Sequence, residues 1–364
     1  MVLNNFIKAA CLSTCIGLAS GSVLANTVET NGGLNVYDSN DSNHWFRLSG
    51  KMQLDHNLLH QGLTMPQGAL DLRAVQAKVQ GGVGQDLSYS FRLKRNGNSV
   101  SLDQSQIAYS GLNSWSKVTV GEVGLPYGLN TNFTERSMAG EMFTPKPGSN
   151  SMGMALTAWN DQVGVSVSVL QPSNGLTGLS ALQSSARMCA APLMRDNLVL
   201  HLGANAYIQN GQDKATSYNL TNNDMRPAVF ELDGSQKRRG FSLDAAVLRG
   251  PMFLQADFHQ VSLGKNSQAL GYSVEASYAV TGETRDYNKI TGQFSSLRTE
   301  NDGGSWQVSA RHSGARKSNA ALVSTAGASV AWTVNNNLTV LADYENALTA
   351  NNQGALSLRL QAAW

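Results

Sequence analysis

The sequence predicts an all-β fold, a transmembrane antiparallel β-barrel of about sixteen strands, and three observations predict it. Apolar and polar side chains alternate at period two in segment after segment, the pattern of a strand with two unlike faces. Charged residues make up only 14% of the chain, against about 25% in soluble domains, which is what a lipid-facing surface would produce. Beyond the N-terminal leader, no stretch approaches the ~20 uninterrupted apolar residues of a spanning helix. A chain that crosses hydrocarbon without helices must satisfy its backbone between strands, and only a closed barrel does so. The mean hydropathy of -0.22 follows if every second strand residue faces water.

Residues 1–25 read as a signal peptide: Lys8, an apolar run from Ala9 to Ala19, then Val23-Leu24-Ala25 as a cleavage site. Cys11 and Cys15 fall within it and lack the small-residue motif of a lipid anchor. Cys189 is then the one remaining thiol, with no partner for an internal disulfide. Residues 26–44 read as an N-terminal periplasmic segment and 45–364 as the barrel.

The first strong alternation sets Phe46, Leu48, Gly50, Met52 and Leu54 against Arg47, Ser49, Lys51, Gln53 and Asp55. Leu87 to Lys94, Gln162 to Val169, Leu270 to Tyr278 and Leu338 to Glu345 repeat it. The closing strand places Leu356, Leu358, Leu360, Ala362 and Trp364 opposite Ser357, Arg359 and Gln361. Less regular strands are expected at 69–80, 100–110, 116–123, 151–159, 178–191, 197–208, 239–249, 252–262, 305–313 and 321–334. The segment 69–80 changes phase near Arg73, and 178–191 is rich in Ala and Ser with little pattern. Short links at 81–86, 111–114, 160–161, 250–251 and 335–337 read as periplasmic turns, and 57–68, 124–150, 209–238 and 347–354 as extracellular loops. By parity the long connection 281–304 falls on the short-turn side. Trp45, Trp115, Trp159, Trp306, Trp332 and Trp364 lie near strand ends, where interfacial girdles form.

Several stretches together resemble the phosphate-selective porin O/P family of Gram-negative outer membranes. They are Phe46 to Asp55, Val118 to Glu122 and Phe133 to Ser137. The most specific are Tyr278 to Tyr287, Gly292-Gln293-Phe294 and Gly304 to Arg311. The resemblance spans nearly the whole chain after residue 25. It implies a sixteen-stranded trimeric barrel in the outer membrane, a third extracellular loop folded into the lumen, and a long periplasmic connection at 281–304. The chain departs from the family where two adjacent arginines are common, carrying Leu72-Arg73. Asp103 matches an acidic position of the fourth strand. The Arg ladder and Lys spiral of phosphate-binding members do not appear at that density.

If the apolar phase faces lipid, the opposite phase lines a wet lumen. That phase carries Arg47, Lys51, Arg92, Lys94, Arg311 and Arg359 against Asp55, Asp257, Glu275, Asp343 and Glu345, with Arg73 and Asp103 as additions. The inserted loop, entered through Gly124, Pro126, Tyr127 and Gly128, contributes Glu135, Arg136, Glu141 and Lys146. Basic residues concentrate in the first three strands, so a basic wall faces a partly acidic loop and sets up a field across the constriction. The expected function is passive diffusion of small hydrophilic solutes with weak anion preference. The alternative is a plugged structural or adhesive barrel whose loops, 209–238 with Lys237-Arg238-Arg239 above all, bind a partner.

Catalysis and cofactors are not expected. His312 and Ser313 fall on opposite faces, and Asp257 with His259 is a lone pair at spacing two. His44, His56, His60 and His201 have no companions at zinc spacing. A net charge of +2 points to no nucleic-acid partner.

Overall fold

The computed structural model describes residues 26–29, 33–38, 43–61, 67–96, 99–124, 129, 151–172, 182–210, 216–218, 230–232, 237–263, 267–348 and 353–364. The chain opens with β1 (Asn26–Glu29) and β2 (Leu34–Asp38). There follow β3 (Trp45–Gln61), β4 (Gln67–Val83), β5 (Leu87–Asn96), β6 (Ser99–Tyr109) and β7 (Ser116–Val123). Next come β8 (Ser151–Trp159), β9 (Val163–Pro172), β10 (Gln183–Arg195) and β11 (Leu198–Gln209). A small pair, β12 (Thr216–Tyr218) and β13 (Phe230–Leu232), precedes β14 (Arg238–Arg249), β15 (Met252–Leu263) and β16 (Ser267–Ala279). A second pair, β17 (Tyr287–Asn288) and β18 (Gln293–Phe294), precedes β19 (Ser305–Lys317), β20 (Val323–Asn335), β21 (Leu338–Ala347) and β22 (Gln353–Ala363).

β3–β11, β14–β16 and β19–β22 each pair antiparallel with their neighbours in sequence, and β22 returns to β3. These sixteen strands close a barrel, so no lateral edge is left open. Closure runs from Gln353↔Gln61 to Ala363↔Lys51, and Gly50 and Trp364 then exchange backbone hydrogen bonds of 2.7 and 3.0 Å. Below that point β2 takes over the same edge of β3, Leu34↔Leu48 to Tyr37↔Trp45, and β1 pairs with β2.

The two phases separate as alternation requires. Along β15, Phe253, Gln255, Asp257, His259 and Val261 are buried while Met252, Leu254 and Phe258 are exposed. Outward Val165, Val167, Val169, Leu356, Leu358 and Leu360 are likewise exposed, and inward Ser168, Ser357 and Arg359 are buried. The continuous exposed apolar exterior suits hydrocarbon rather than water. Of the tryptophans, Trp45 opens β3, Trp115 precedes β7, Trp159 ends β8, and Trp306 and Trp332 lie at the paired ends of β19 and β20. Trp364 closes the chain, so all six lie at the end of the barrel that carries the short turns. Trp306 and Trp332, opposite each other, stack with centroids 5.3 Å apart.

Several boundaries differ from expectation. Positions 57–61 and 67–68, expected as loop, belong to β3 and β4. Alternation through His56 and Leu58 continues the outward phase, and β22 pairs with β3 as far as Gln61. Gln353 and Gly354 likewise belong to β22 rather than to a loop, and β12 and β13 pair within 209–238. The weak segment 178–191 is displaced: β10 spans Gln183–Arg195, with a bulge between Ala190 and Leu193 beside Pro192, which has no N–H for the ladder. The phase change near Arg73 is a register shift between Gln53 and Asp55, where one residue of β3 faces two of β4.

Candidate functional site: the barrel interior

The interior has two unlike sides. On β3–β5 the bulge resets the phase of β4, so that Gln76, Lys78 and Gln80 face inward opposite Lys51, Ser49 and Arg47. Lys78 then lies directly across from Arg92, and Gln76 from Lys94. Arg47, Lys51, Arg73, Lys78, Arg92 and Lys94 are all half-buried on this side. Like charges directly opposite each other destabilise a strand pair. The Lys78 and Arg92 arrangement is tolerable where water and counter-anions reach it.

The acids behave differently. Asp55 is 1% exposed and accepts two bonds from Arg359, Nε to Oδ1 at 2.7 Å and a terminal nitrogen to Oδ2 at 2.6 Å. Arg73 Nε stands 3.8 Å from the same carboxylate. This fork joins the first barrel strand to the last. On β15, β16 and β21, Asp257, Glu275, Asp343 and Glu345 are at most 5% exposed. Arg311, 7% exposed, lies opposite Glu275, within Coulombic reach of Glu345 and Asp343, and its Nε donates to Ser313 Oγ at 3.0 Å.

A third group ties β10, β11 and β14 together. Arg187 forks onto Asp244 at 2.7 and 3.0 Å, and His201 Nε2 meets the same carboxylate at 2.8 Å. His201 Nδ1 stands 2.7 Å from the Tyr287 hydroxyl. An ionised carboxylate only accepts, so His201 Nε2 carries the proton that faces Asp244. Burial pushes the Tyr287 hydroxyl above its usual range, the direction that keeps it a donor. Gly203 leaves room for this cluster, since a Cβ there would fall 2.3 Å from Asp244 Oδ1.

Tyr287 belongs to the long connection, which turns back against the inner wall. Tyr287 and Phe294 pair in the β17–β18 hairpin, and the Phe294 ring packs on Phe253 and Tyr287, both at 4.8 Å. Phe294 shares an apolar cluster with Leu129, Ala191, Val199, Ala246, Leu248 and Phe253. Gly292, at φ +66°, permits the approach, because a Cβ would lie 2.8 Å from that of Cys189. Arg285 donates to Ser295 O at 2.8 Å and to Gln307, and lies over the Phe253 ring at 5.5 Å.

Two carboxylates help hold the connection, one in a neighbouring turn and one within it. Asp161 in the β8–β9 turn accepts from Lys289 Nζ at 2.6 Å, and that bond and charge hold it below the usual carboxylate range. For Glu283, burial pushes up, but hydrogen bonds from Thr281, Ser305 and Asn301 outweigh it and the net direction is down. Groups depressed in the folded state stabilise it above their unfolded values, and that contribution is lost as pH falls through the folded ones. Acidification below about pH 4 is therefore expected to loosen 281–304. Amide hydrogen exchange at pH 7 and pH 3 checks this.

Of the expected site residues, Arg47, Lys51, Arg73, Arg92 and Lys94 come together on one side, and Arg311 sits in the buried acidic group. Asp103 is the residue the β5–β6 ladder skips, and its side chain is outside the described residues. Glu135, Arg136, Glu141 and Lys146 are outside them too, as are Pro126, Tyr127 and Gly128. Within 124–150, Gly124 and Leu129 are described; Leu129 is buried, its N–H 3.4 Å from Asp257 Oδ1. Sequence reasoning missed Lys78, Arg187 and Asp244, and took His201 as isolated. His312 faces outward beside Tyr272, while Asp257 and His259 share the inner face as expected.

A family model described as phosphate-selective porin O and P matches residues 46–361. The chain belongs to that family. This porin is 24% identical to Porin O of Pseudomonas aeruginosa over 333 residues, 78% of this chain and 75% of that one. Among solved structures, in-vitro folded OmpT of Vibrio cholerae gives a TM-score of 0.58 at 10% identity, covering 89% and 98% of the two chains. The anion-selective porin from Comamonas acidovorans gives 0.57 at 10%, covering 88% and 99%. A trimer form of OmpT gives 0.54 at 11%, covering 88% and 99%. The porin is therefore a non-enzymatic β-barrel channel protein of the Gram-negative outer membrane. The short turns and both ends of the barrel sequence mark its periplasmic side.

Proposed function

We propose that this porin passes small hydrophilic solutes and ions by diffusion, with a weak preference for anions. One observation carries the reading. The six basic side chains on β3–β5 are half-buried, whereas Asp55, Asp257, Glu275, Asp343 and Glu345 are buried, most of them beside arginines. A permeating ion therefore meets more positive charge than the inner-face sequence implies. Close charges on a low-dielectric wall act more strongly than in bulk water. The anion-selective Comamonas porin shares the fold and agrees with this reading.

The residues assigned to the pathway are Arg47, Lys51, Arg73, Lys78, Arg92 and Lys94. Residues 1–25 act as the export signal, 124–150 narrows the lumen, and three copies assemble, as in the OmpT trimer form. Planar bilayers test the function. Discrete conductance steps are expected, with a reversal potential in a KCl gradient that favours chloride. Phosphate is expected to compete as another anion and not to plug the pore. Absence of steps would favour the plugged, adhesive barrel, and potassium preference would overturn the anion assignment.

A further inference from the structure

The outer face of β14–β19 has a feature the channel function does not use. Near the periplasmic end, a groove of about 620 Å³ runs between Leu254, Ala276, Tyr278 and Ala310, with Arg249 at its lower rim. Ala276 and Ala310 are direct cross-strand partners, and Leu254 faces Ala276, so two small side chains form the floor between larger walls. Arg249, on the outward phase of β14, is the last residue before the Gly250–Pro251 turn, and it is exposed. It has no hydrogen bond or ion pair among the described residues.

Arg249 has company. It pairs with Leu198, whose other partner is Arg195, also exposed and without a bonded partner among the described residues. Directly opposed residues share a face, so the two guanidinium groups stand on the outer side two strand spacings apart, roughly 10 Å. Asp196 follows Arg195 in the turn and bonds to neither among the described residues. Tyr278 and Trp306 lie at this same end, the level of lipid headgroups.

We propose that this face holds one anionic phospholipid of the periplasmic leaflet, its phosphate on Arg249 with Arg195 beside it and one acyl chain in the groove over Ala276 and Ala310. A guanidinium binds phosphate through paired N–H donors, and its stem lies along apolar surface with the head at the interface. The hydrocarbon chain fills the depression that the two alanines leave. A zwitterionic lipid offers the same chain, but its ammonium offsets the charge that two arginines select.

Native mass spectrometry of the purified, delipidated protein in non-ionic detergent tests this with phosphatidylglycerol and phosphatidylcholine at equal concentration. The wild type is expected to retain phosphatidylglycerol preferentially. Arg249→Gln is expected to weaken that binding about tenfold, the loss of one charge-assisted contact. Ala310→Phe, which fills the groove, is expected to lower binding of both lipids with subunit number unchanged. Arg239→Gln, exposed at the other end of β14, is expected to bind as the wild type does. Equal retention of the two lipids by the wild type, or an unaltered preference in Arg249→Gln, would overturn the proposal. Loss of subunit association in Ala310→Phe would overturn it too, because the groove would then face a second copy. Arg249→Gln alters only an exposed side chain, so that arm stands even if Ala310→Phe does not fold.

Discussion

Replacing Asp55 by Ala is expected to destabilise the barrel by about 3–5 kcal/mol, the usual cost of leaving a buried charge without its counter-ion. Arg359 would lose both of its bonds to Asp55, and Arg73 the carboxylate 3.8 Å from its Nε. The damage falls at the seam between β3 and β22, which closes the sheet. Without it, two strand edges open within the membrane, where water cannot satisfy them. The temperature at which the folded, fast-migrating gel band converts to the unfolded one checks this, and it should drop clearly in the variant. Asp55→Leu with Arg359→Met should recover much of the loss, since an apolar pair of similar volume leaves no charge unpaired. A single variant as stable as the wild type would mean that the ion pair does not hold the seam.

The second large effect is expected from the long periplasmic connection. Phe294 packs edge-on against Phe253 and at a tilt against Tyr287 within a buried apolar cluster, and Tyr287 bonds His201. Phe294→Ala removes a buried ring at a cost of about 3 kcal/mol, near a hundredfold in the docking equilibrium. Amide exchange in 285–295 should accelerate to match while the strands stay protected. Because the connection covers inner wall between β10 and β15, its release should also raise single-channel conductance. Faster exchange with unchanged conductance would show that the connection is docked there without narrowing the path.

Much of this was legible in the sequence because each strand has to serve two solvents. In β9, β16, β21 and β22 the period-two pattern is clean, and the structure keeps every inward and outward assignment made for them. Legibility fails where local chemistry does not distinguish the faces. In β10, Ser184 and Ala186 face outward and Ser185 inward, and the bulge near Pro192 shifts the register. Lys78 escaped for a related reason: the bulge opposite Gln53 and Asp55 resets the phase of β4, and no single residue marks it.

The Asp244 cluster was hidden differently. Its members come from β10, β11, β14 and the connection, and only pairing across strands assembles Arg187, His201, Asp244 and Tyr287. Alternation gives a side for each charge in the inner-face list but is silent on access, and the Asp103 side chain lies outside the described residues. Alternation tells which way Glu275 points, not that it is 0% exposed while Lys78 and Arg92 are half-buried. On the proposed reading, the near balance of signs in that list understates the positive charge that a permeating ion meets.

The reversal potential of charge variants tests that partition most directly. Lys78→Glu with Arg92→Glu should move it through zero, from chloride to potassium preference, while Glu275→Gln should leave it where the wild type has it. A double variant that still prefers chloride, or a shift produced by Glu275→Gln, would contradict the assignment of the conducting path to the β3–β5 side.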